Sequence, residues 1–382
     1  MKNYMFHRFM IKLTKIVAGP FLKNKMKYKC HISNDIDRPT LVLSNHTTNF
    51  DPLLVTLAFR KHMYFLASEH AFRAGFGSKV LRTVYSPIPF NKTKTDINAI
   101  KEVMHRLSAG ANVCLFPEGD RSFSGTTVHS ASSVVKLAKQ CRVDVITFKL
   151  EGGYFTSPRW STKMRKGKMS GAIVNKYLAD EVAAMSEDEL IGKINTDIYV
   201  DAYESQKENL VKYKGENLAE NIEVSLYLCP SCKGIGYIKS KGDGFACRCG
   251  LSGRYTQAGY LEGPKLPFTK TTDWGKWQEE TLGEVIKSIP DGPICMDVGQ
   301  SMYEVHAGAY KVPAGEGTIQ INRSSFKCCG HEFALDRITK FAVVGQMTLL
   351  FATKEGAMYE IRSRSPRSAL KYRDIFKVLT GR

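Results

Sequence analysis

Between residues 38 and 180 short apolar runs alternate with longer stretches of helical period, and this alternation restricts the region to an α/β layer structure. Strands are expected at Thr40 to Leu43, Met63 to Ala67, Val113 to Phe116 and Val143 to Leu150, with helices at Pro52 to Arg60, Asp96 to Leu107 and Ser130 to Gln140. Ser186 opens a further helix through a capping box to Glu189. At 382 residues the chain is too long for one ordinary core, and its composition shifts again after about 215. A Cys-, Gly- and Lys-rich segment fills 222–262, and a connector with Trp274 and Trp277 spans 263–290. Short strands then crowd 291–382: Met302 to His306, Thr318 to Asn322, Glu332 to Leu335, Thr339 to Val344, Thr348 to Ala352 and Met358 to Arg362. One amphipathic helix, Ser368 to Leu379, closes this small β domain.

Composition places the whole chain in the globular range, with 43% hydrophobic and 24% charged residues. No run of about 18 apolar residues is present to span a bilayer, and no compact signal segment opens the chain, so an intracellular, unspanned protein is expected. The net charge of +18 favours polyanionic partners: nucleic acid, an anionic membrane surface or phosphorylated small molecules. Residues 4 to 17 read as a helix stopped by Gly19 and Pro20, with Met5, Phe6, Phe9, Met10, Leu13, Ile16 and Val17 within an arc of roughly 140°. Lys23, Lys25, Lys27 and Lys29 follow, so 1–30 combines an apolar stripe with cations, as a helix lying in a membrane interface does. The same stripe would also suit a terminal helix docked on the protein's own core.

Two segments carry chemistry. Ser44-Asn45-His46-Thr47-Thr48-Asn49-Phe50-Asp51-Pro52 follows an apolar strand, and Asp51 before Pro52 reads as the N-cap of a helix with Pro at its first position. His46 and Asp51 would project about 140° apart on one straight helix, but across a loop and a helix start they can face each other. An aspartate accepting from one imidazole nitrogen leaves the other free as a general base. The second segment, Val113 to Ser122, runs a strand into Pro117-Glu118-Gly119-Asp120-Arg121, a carboxylate, a flexible turn and a cation at a strand's carboxyl end.

His46 and Asp51 separated by four residues, followed about seventy residues later by Phe116-Pro117-Glu118-Gly119, resemble the glycerolipid acyltransferase family, in particular the 1-acylglycerol-3-phosphate acyltransferases. The resemblance covers roughly 35 to 175 and makes 31–215 an acyltransferase domain. It implies that His46, oriented by Asp51, deprotonates an acceptor hydroxyl that attacks an acyl thioester, from acyl-CoA or acyl carrier protein. It further implies that Glu118, Gly119 and Arg121 help seat the phosphate of a lysophospholipid acceptor, with Lys92 of Pro87-Ile88-Pro89-Phe90-Asn91-Lys92 in place of the family's arginine. The last family block usually has prolines, which Val143 to Phe148 lacks; Gly153 to Trp160 resembles the loop after it and is expected near the acceptor, with an ordinary anchoring loop as the equal alternative for Tyr154, Arg159 and Trp160. Backbone amides around 46 or 119 are the candidate oxyanion donors.

Cys229 and Cys232, then Cys247 and Cys249, hold two thiol pairs with fourteen residues between them and resemble a zinc ribbon, although the second pair is C-x-C where C-x-x-C is usual. Four thiolates would close a structural zinc site. The C-terminal strands and helix resemble the pleckstrin-homology-like superfold, and Lys354, Arg362, Arg364 and Arg367 could form a cationic patch there. The expected architecture is therefore an α/β acyltransferase-type domain, a small zinc ribbon and a mainly-β C-terminal domain with a terminal helix. The expected activity is acylation of lysophosphatidate by a peripheral protein on the cytoplasmic, inner face of a membrane with anionic lipids. Nucleic acid is not expected as a partner. Acylation of another lysolipid or glycolipid, a lipid-binding adaptor and a nucleic-acid-binding zinc-ribbon protein are the alternatives.

Overall fold

The computed structural model describes residues 4–68, 81–92, 96–130, 132–306 and 310–382. The chain divides into two compact units: Met1–Asn91, Asp96–Pro158 and Met164–Lys214 in the first, and Lys92–Thr95, Arg159–Lys163 and Gly215–Arg382 in the second.

The first unit is built on a seven-stranded sheet of β1 (Lys29–Cys30), β2 (Thr40–Ser44), β3 (Met63–Ser68), β4 (Ile88–Phe90), β5 (Asn112–Leu115), β6 (Asp144–Glu151) and β7 (Ser170–Tyr177), in the order β1-β7-β6-β2-β5-β3-β4. Every pairing is parallel except β6 with β7. All residues of β2 and β5 are buried, as a parallel sheet covered on both faces requires. Side-chain alternation sends Leu41, Leu43, Val113, Leu115 and Val145 to one core, which also receives residues of the helices Ile97–Ser108, Ser133–Cys141 and Glu187–Ile198. Val42, Cys114, Ile146 and Phe148 enter the other, filled by the N-terminal helix and the helix Asp51–Ala58.

Four expectations change here. The N-terminal helix is Tyr4–Met26 and runs through Gly19 and Pro20. Gly19 is there for close packing, since a Cβ on it would lie 3.1 Å from Leu57 Cδ2, while Pro20 sits on the exposed side, where water can satisfy the carbonyl it leaves unbonded. Asp51 is the first residue of its helix, behind Phe50 at the N-cap position, and its carboxylate turns back into the preceding loop. The helix expected from Ser130 starts at Ser133, with Ala131 outside the described residues. β7, a strand of mixed polarity between β6 and the two-residue edge strand β1, has no counterpart in the sequence reading. Ser186 does cap its helix, accepting from the Glu189 amide.

The N-terminal helix has two unlike faces. His7, Ile11, Gly19, Leu22 and Met26 are buried, whereas Met5, Phe6, Phe9, Leu13, Ile16, Val17 and Phe21 are exposed, from 43% for Phe6 and Leu13 to 71% for Met5. Among the described residues no helix is long and apolar enough to cross a membrane.

In the second unit β8 (Ile238–Lys241), β9 (Gly244–Cys247), β10 (Ser252–Tyr255) and β11 (Leu261–Glu262) form an antiparallel sheet. The expected connector is mostly the helix Thr271–Ser288. Trp274 is fully buried and donates from Nε1 to the Leu228 carbonyl (2.9 Å), while Gln278 Oε1 accepts from the amides of Tyr227 and Leu228, fixing the chain just before the first cysteine. β12 (Cys295–Val305), β13 (Lys311–Ile321), β14 (Ser325–Cys328), β15 (His331–Ala334), β16 (Ile338–Val344), β17 (Thr348–Thr353) and β18 (Met358–Ser363) follow, ordered β15-β14-β13-β12-β18-β17-β16. Consecutive β15 and β16 therefore lie on opposite edges, joined only by the turn Leu335–Arg337. Six steps of about 4.8 Å would make a flat sheet about 29 Å wide. Three linking residues reach at most about 14 Å, so the sheet must curl toward closure. The helix Ala369–Thr380, capped by Ser368, buries Leu370, Tyr372, Ile375 and Phe376. Seven antiparallel strands and a terminal helix are compatible with a pleckstrin-homology-like unit.

Candidate active site

β2 and β5 are parallel neighbours, with Leu43 opposite Leu115, so the loops leaving their carboxyl ends emerge side by side. This pairing alone brings the two sequence segments together. The Glu118 carboxylate accepts the His46 amide on one oxygen (2.7 Å) and the Val128 amide on the other (3.0 Å). Ser122 donates its amide to the His46 carbonyl (3.2 Å), so both backbone groups of His46 are held by the second loop. Asn45, fully buried, exchanges two 2.8 Å hydrogen bonds with the backbone of Leu150 on β6 and fixes the other side of the same loop.

Asp51 is fully buried, and its carboxylate meets four donors. Oδ2 accepts from His46 Nδ1 (2.8 Å) and from the amides of Thr47 (2.6 Å) and Thr48 (2.8 Å), while Oδ1 accepts from Thr48 Oγ1 (2.6 Å). With a carboxylate on Nδ1, the proton of neutral imidazole sits on Nδ1 and Nε2 carries the free lone pair. The His46 side chain is 21% exposed, against 0% for Asp51, so solvent or substrate has access to the imidazole. Its ring stacks on Phe116 at 4.4 Å between centroids. The arrangement is that of an oriented general base.

The remaining expected site residues occupy different situations. Gly119 has φ +70°, a left-handed turn that glycine adopts freely, and its amide donates to the Phe116 carbonyl. Arg121 is buried; desolvation lowers its pKa, and the Asp51 and Asp120 carboxylates oppose that shift. Burial pushes the Glu118 carboxyl up to about 8, although the Val128 and His46 amides pull it down. Lys92 sorts with the second unit, beside 93–95, which lie outside the described residues. Arg159 and Trp160, expected near the acceptor, are fully buried and also belong to the second unit, where Arg159 donates to the carbonyls of Val343 and Gly345. They are anchors. Of the amides around 46 and 119 expected as oxyanion donors, that of His46 is bound to Glu118 and that of Gly119 to the Phe116 carbonyl. Asn45, Thr48 and Phe116 lie within the same two segments, and nothing in their spacing marks the contacts they make.

The four cysteines of the second unit converge. Cys229 and Cys249 place their sulfurs 3.7 Å apart, Cys232 and Cys247 3.8 Å, and all four lie within 4.8 Å of one another. A tetrahedron with Zn–S bonds of about 2.3 Å has edges of about 3.8 Å, so the thiols fit that ion. The Leu251 amide points at Cys249 and draws its thiol down to about 6; burial pushes the Cys247 thiol up, and the amide of Cys249, pointing at it, opposes that shift. Amides directed at sulfur stabilise thiolate, the form a metal binds.

Residues 27–151 match the family model described as Acyltransferase. This span, about a third of the chain, resembles an acyltransferase domain. The matched span contains His46, Asp51, Glu118, Gly119 and Arg121. Among solved structures the chain is similar to the 1-acyl-sn-glycerophosphate (LPA) acyltransferase PlsC from Thermotoga maritima, at 19% identity, over 53% of this chain and 92% of that one, with a TM-score of 0.40. No curated protein sequence matches the chain.

Because Glu118 has its pKa raised in the fold, the native state holds this proton where the unfolded chain has lost it. Its stabilising contribution is full below about 4.5 and is lost as pH rises through about 8. Denaturant unfolding at pH 5, 7 and 9 should show a stability decline in the wild type that is blunted in Glu118→Gln. The same variant leaves one of the two amides facing an NH2 group, and its kcat should fall about 10- to 100-fold as the His46 loop loosens.

Proposed function

We propose that this protein transfers a fatty acyl chain from acyl-CoA or acyl carrier protein to the free hydroxyl of a lysophospholipid, with lysophosphatidate as acceptor and phosphatidate as product. The observation carrying this reading is the His46–Asp51 pair, buried on the aspartate side and open on the imidazole side, within a matched acyltransferase domain. His46 Nε2 takes the hydroxyl proton as that oxygen attacks the thioester carbonyl. A C–O bond forms, the tetrahedral intermediate collapses, the C–S bond breaks, and the thiolate leaves with the proton returned by the imidazolium. Asp51 holds the tautomer and stabilises the imidazolium between these steps. Arg121, whose charge is felt by Asp51, is assigned with the Gly119 turn to the acceptor phosphate. Glu118 acts by holding His46.

Supporting the choice of a lipid acceptor, the N-terminal helix turns seven large apolar side chains to solvent on the face opposite its buried one. A segment of this kind, with Arg8, Lys12, Lys23 and Lys25, suits docking in the plane of an anionic membrane at its cytoplasmic side. The organisation proposed with this function is a docking segment at 1–30, of which 1–3 lie outside the described residues, an acyltransferase domain at 31–215, a zinc ribbon at 222–262, a connector at 263–290 and a β domain at 291–382. Zinc held by Cys229, Cys232, Cys247 and Cys249 would be structural, since four protein ligands leave no open position for chemistry.

Turnover with lysophosphatidate and a panel of acyl-CoA donors tests the central claim. His46→Ala should lose about 10² to 10⁴ in rate with folding intact, and wild-type turnover from it removes the assignment. Replacing Phe6 and Phe9 by Ser should weaken flotation with anionic vesicles and lower activity on vesicle-borne acceptor while sparing a water-soluble short-chain acceptor. Elemental analysis should find one zinc per chain, lost in Cys229→Ser together with the protection of 224–262 from proteolysis.

A further inference from the structure

The second unit contains a cavity of about 750 Å³ whose lining includes Lys233, Lys239, Arg248, Arg367 and Lys371, with Asp297 as the only carboxylate among its lining residues. That carboxylate is occupied: Asp297 Oδ2 receives Lys371 Nζ and Tyr372 Oη, each at 2.7 Å. Arg367 is only 3% exposed, yet Nη2 finds an acceptor, the Met347 carbonyl at 3.0 Å, while Nε and Nη1 meet none among the described residues. A guanidinium taken out of water with donors unmet is unfavourable unless a ligand meets them. Gln300, 1% exposed and on the same lining, has the complementary deficit. Its Nε2 donates to the Val298 carbonyl and to Ser363 Oγ, which fixes the amide orientation and leaves Oε1 as a buried acceptor without a partner among the described residues.

An occupant matching these groups must be an anion that offers several acceptor oxygens to a guanidinium fork and also carries a hydroxyl to donate. Phosphate monoesters have both, through P–O oxygens and through a P–OH or an alcohol on the ester. We propose that this cavity is a binding site for a phosphate monoester, with Arg367 receiving the phosphate, Gln300 accepting from a hydroxyl, and Lys233 and Lys239 at the exposed mouth raising the local concentration of anions. Every lining residue belongs to the second unit, and none of them is assigned to the acceptor. The ligand is either a free phosphorylated metabolite or the head group of a phosphomonoester lipid such as phosphatidate.

Calorimetric titration of the full chain with inorganic phosphate and with glycerol 3-phosphate, beside co-sedimentation with phosphatidylcholine vesicles with and without phosphatidate, separates these sources. Saturable binding of the soluble phosphates identifies a free metabolite; phosphatidate-dependent sedimentation without soluble binding identifies the head group. In either case Arg367→Gln should weaken binding about 10- to 100-fold. Lys239→Glu, on an exposed strand position, should weaken it about three- to tenfold with the fold unchanged by circular dichroism. If Arg367→Gln does not fold, Lys239→Glu decides. No binding in either arm, or binding that neither variant weakens, overturns the proposal.

Discussion

The buried carboxylate of Asp51 is the element on which the candidate active site depends. An ionised carboxylate removed from water costs several kcal/mol unless its lone pairs are met. Here four donors meet it, and all of them come from residues 46 to 48. The loop therefore folds around the charge, and the imidazole is one of the groups recruited to satisfy it. Orientation of His46 follows from a local electrostatic requirement and needs no contribution from substrate. Glu118 then ties this loop to its neighbour by accepting the His46 amide. Two short loops that would otherwise be free to move are cross-braced through one residue.

What lets the loops meet is the parallel pairing of β2 with β5, and this was only partly legible in the sequence. Apolar runs at 40–43 and 113–116 announced two buried strands, and the residues after them announced chemistry. Their adjacency could not be read, because strand order depends on which apolar faces pack together and not on any local pattern. The same limit explains β7, whose mixed burial resembles that of a loop, although Gly171 within it lets Tyr28 and Phe148 approach so closely that a Cβ would lie 2.2 Å from the Tyr28 hydroxyl. Local rules failed in an instructive way at Gly19-Pro20 and at Asp51. In both places a residue type with a familiar role, stop or cap, was taken over by a tertiary demand.

Arg159 shows a different limit. A short loop of Tyr, Arg and Trp after a strand near an active site reads as a substrate contact, yet Arg159 spends its donors on the Val343 and Gly345 carbonyls and Trp160 packs edge-on against Tyr255. Aromatic and guanidinium groups anchor cores as well as they bind ligands, and only their partners distinguish the two uses. The four cysteines were legible for the opposite reason. Metal chemistry demands sulfurs on two tight turns, and a C-x-C in place of C-x-x-C still delivers S···S separations of 3.7 and 3.8 Å.

The N-terminal helix and the cavity of the second unit pose one physical question. Folding normally removes apolar surface from water and leaves no buried donor unmet, so departures from both rules in one chain call for external partners. The helix already has a docked face, which buries Ile11, Leu22 and Met26, and its exposed stripe is therefore surplus to the needs of the core. Under the proposed function, an interface rich in acyl chains and anionic head groups would cover that stripe and pair with the lysines around it. Arg367 and Gln300 are surplus in the polar sense, a donor pair and an acceptor held dry beside a space large enough for a ligand. Each unit thus carries one feature that folding by itself leaves unsatisfied, an apolar stripe in the first and a donor pair with an acceptor in the second.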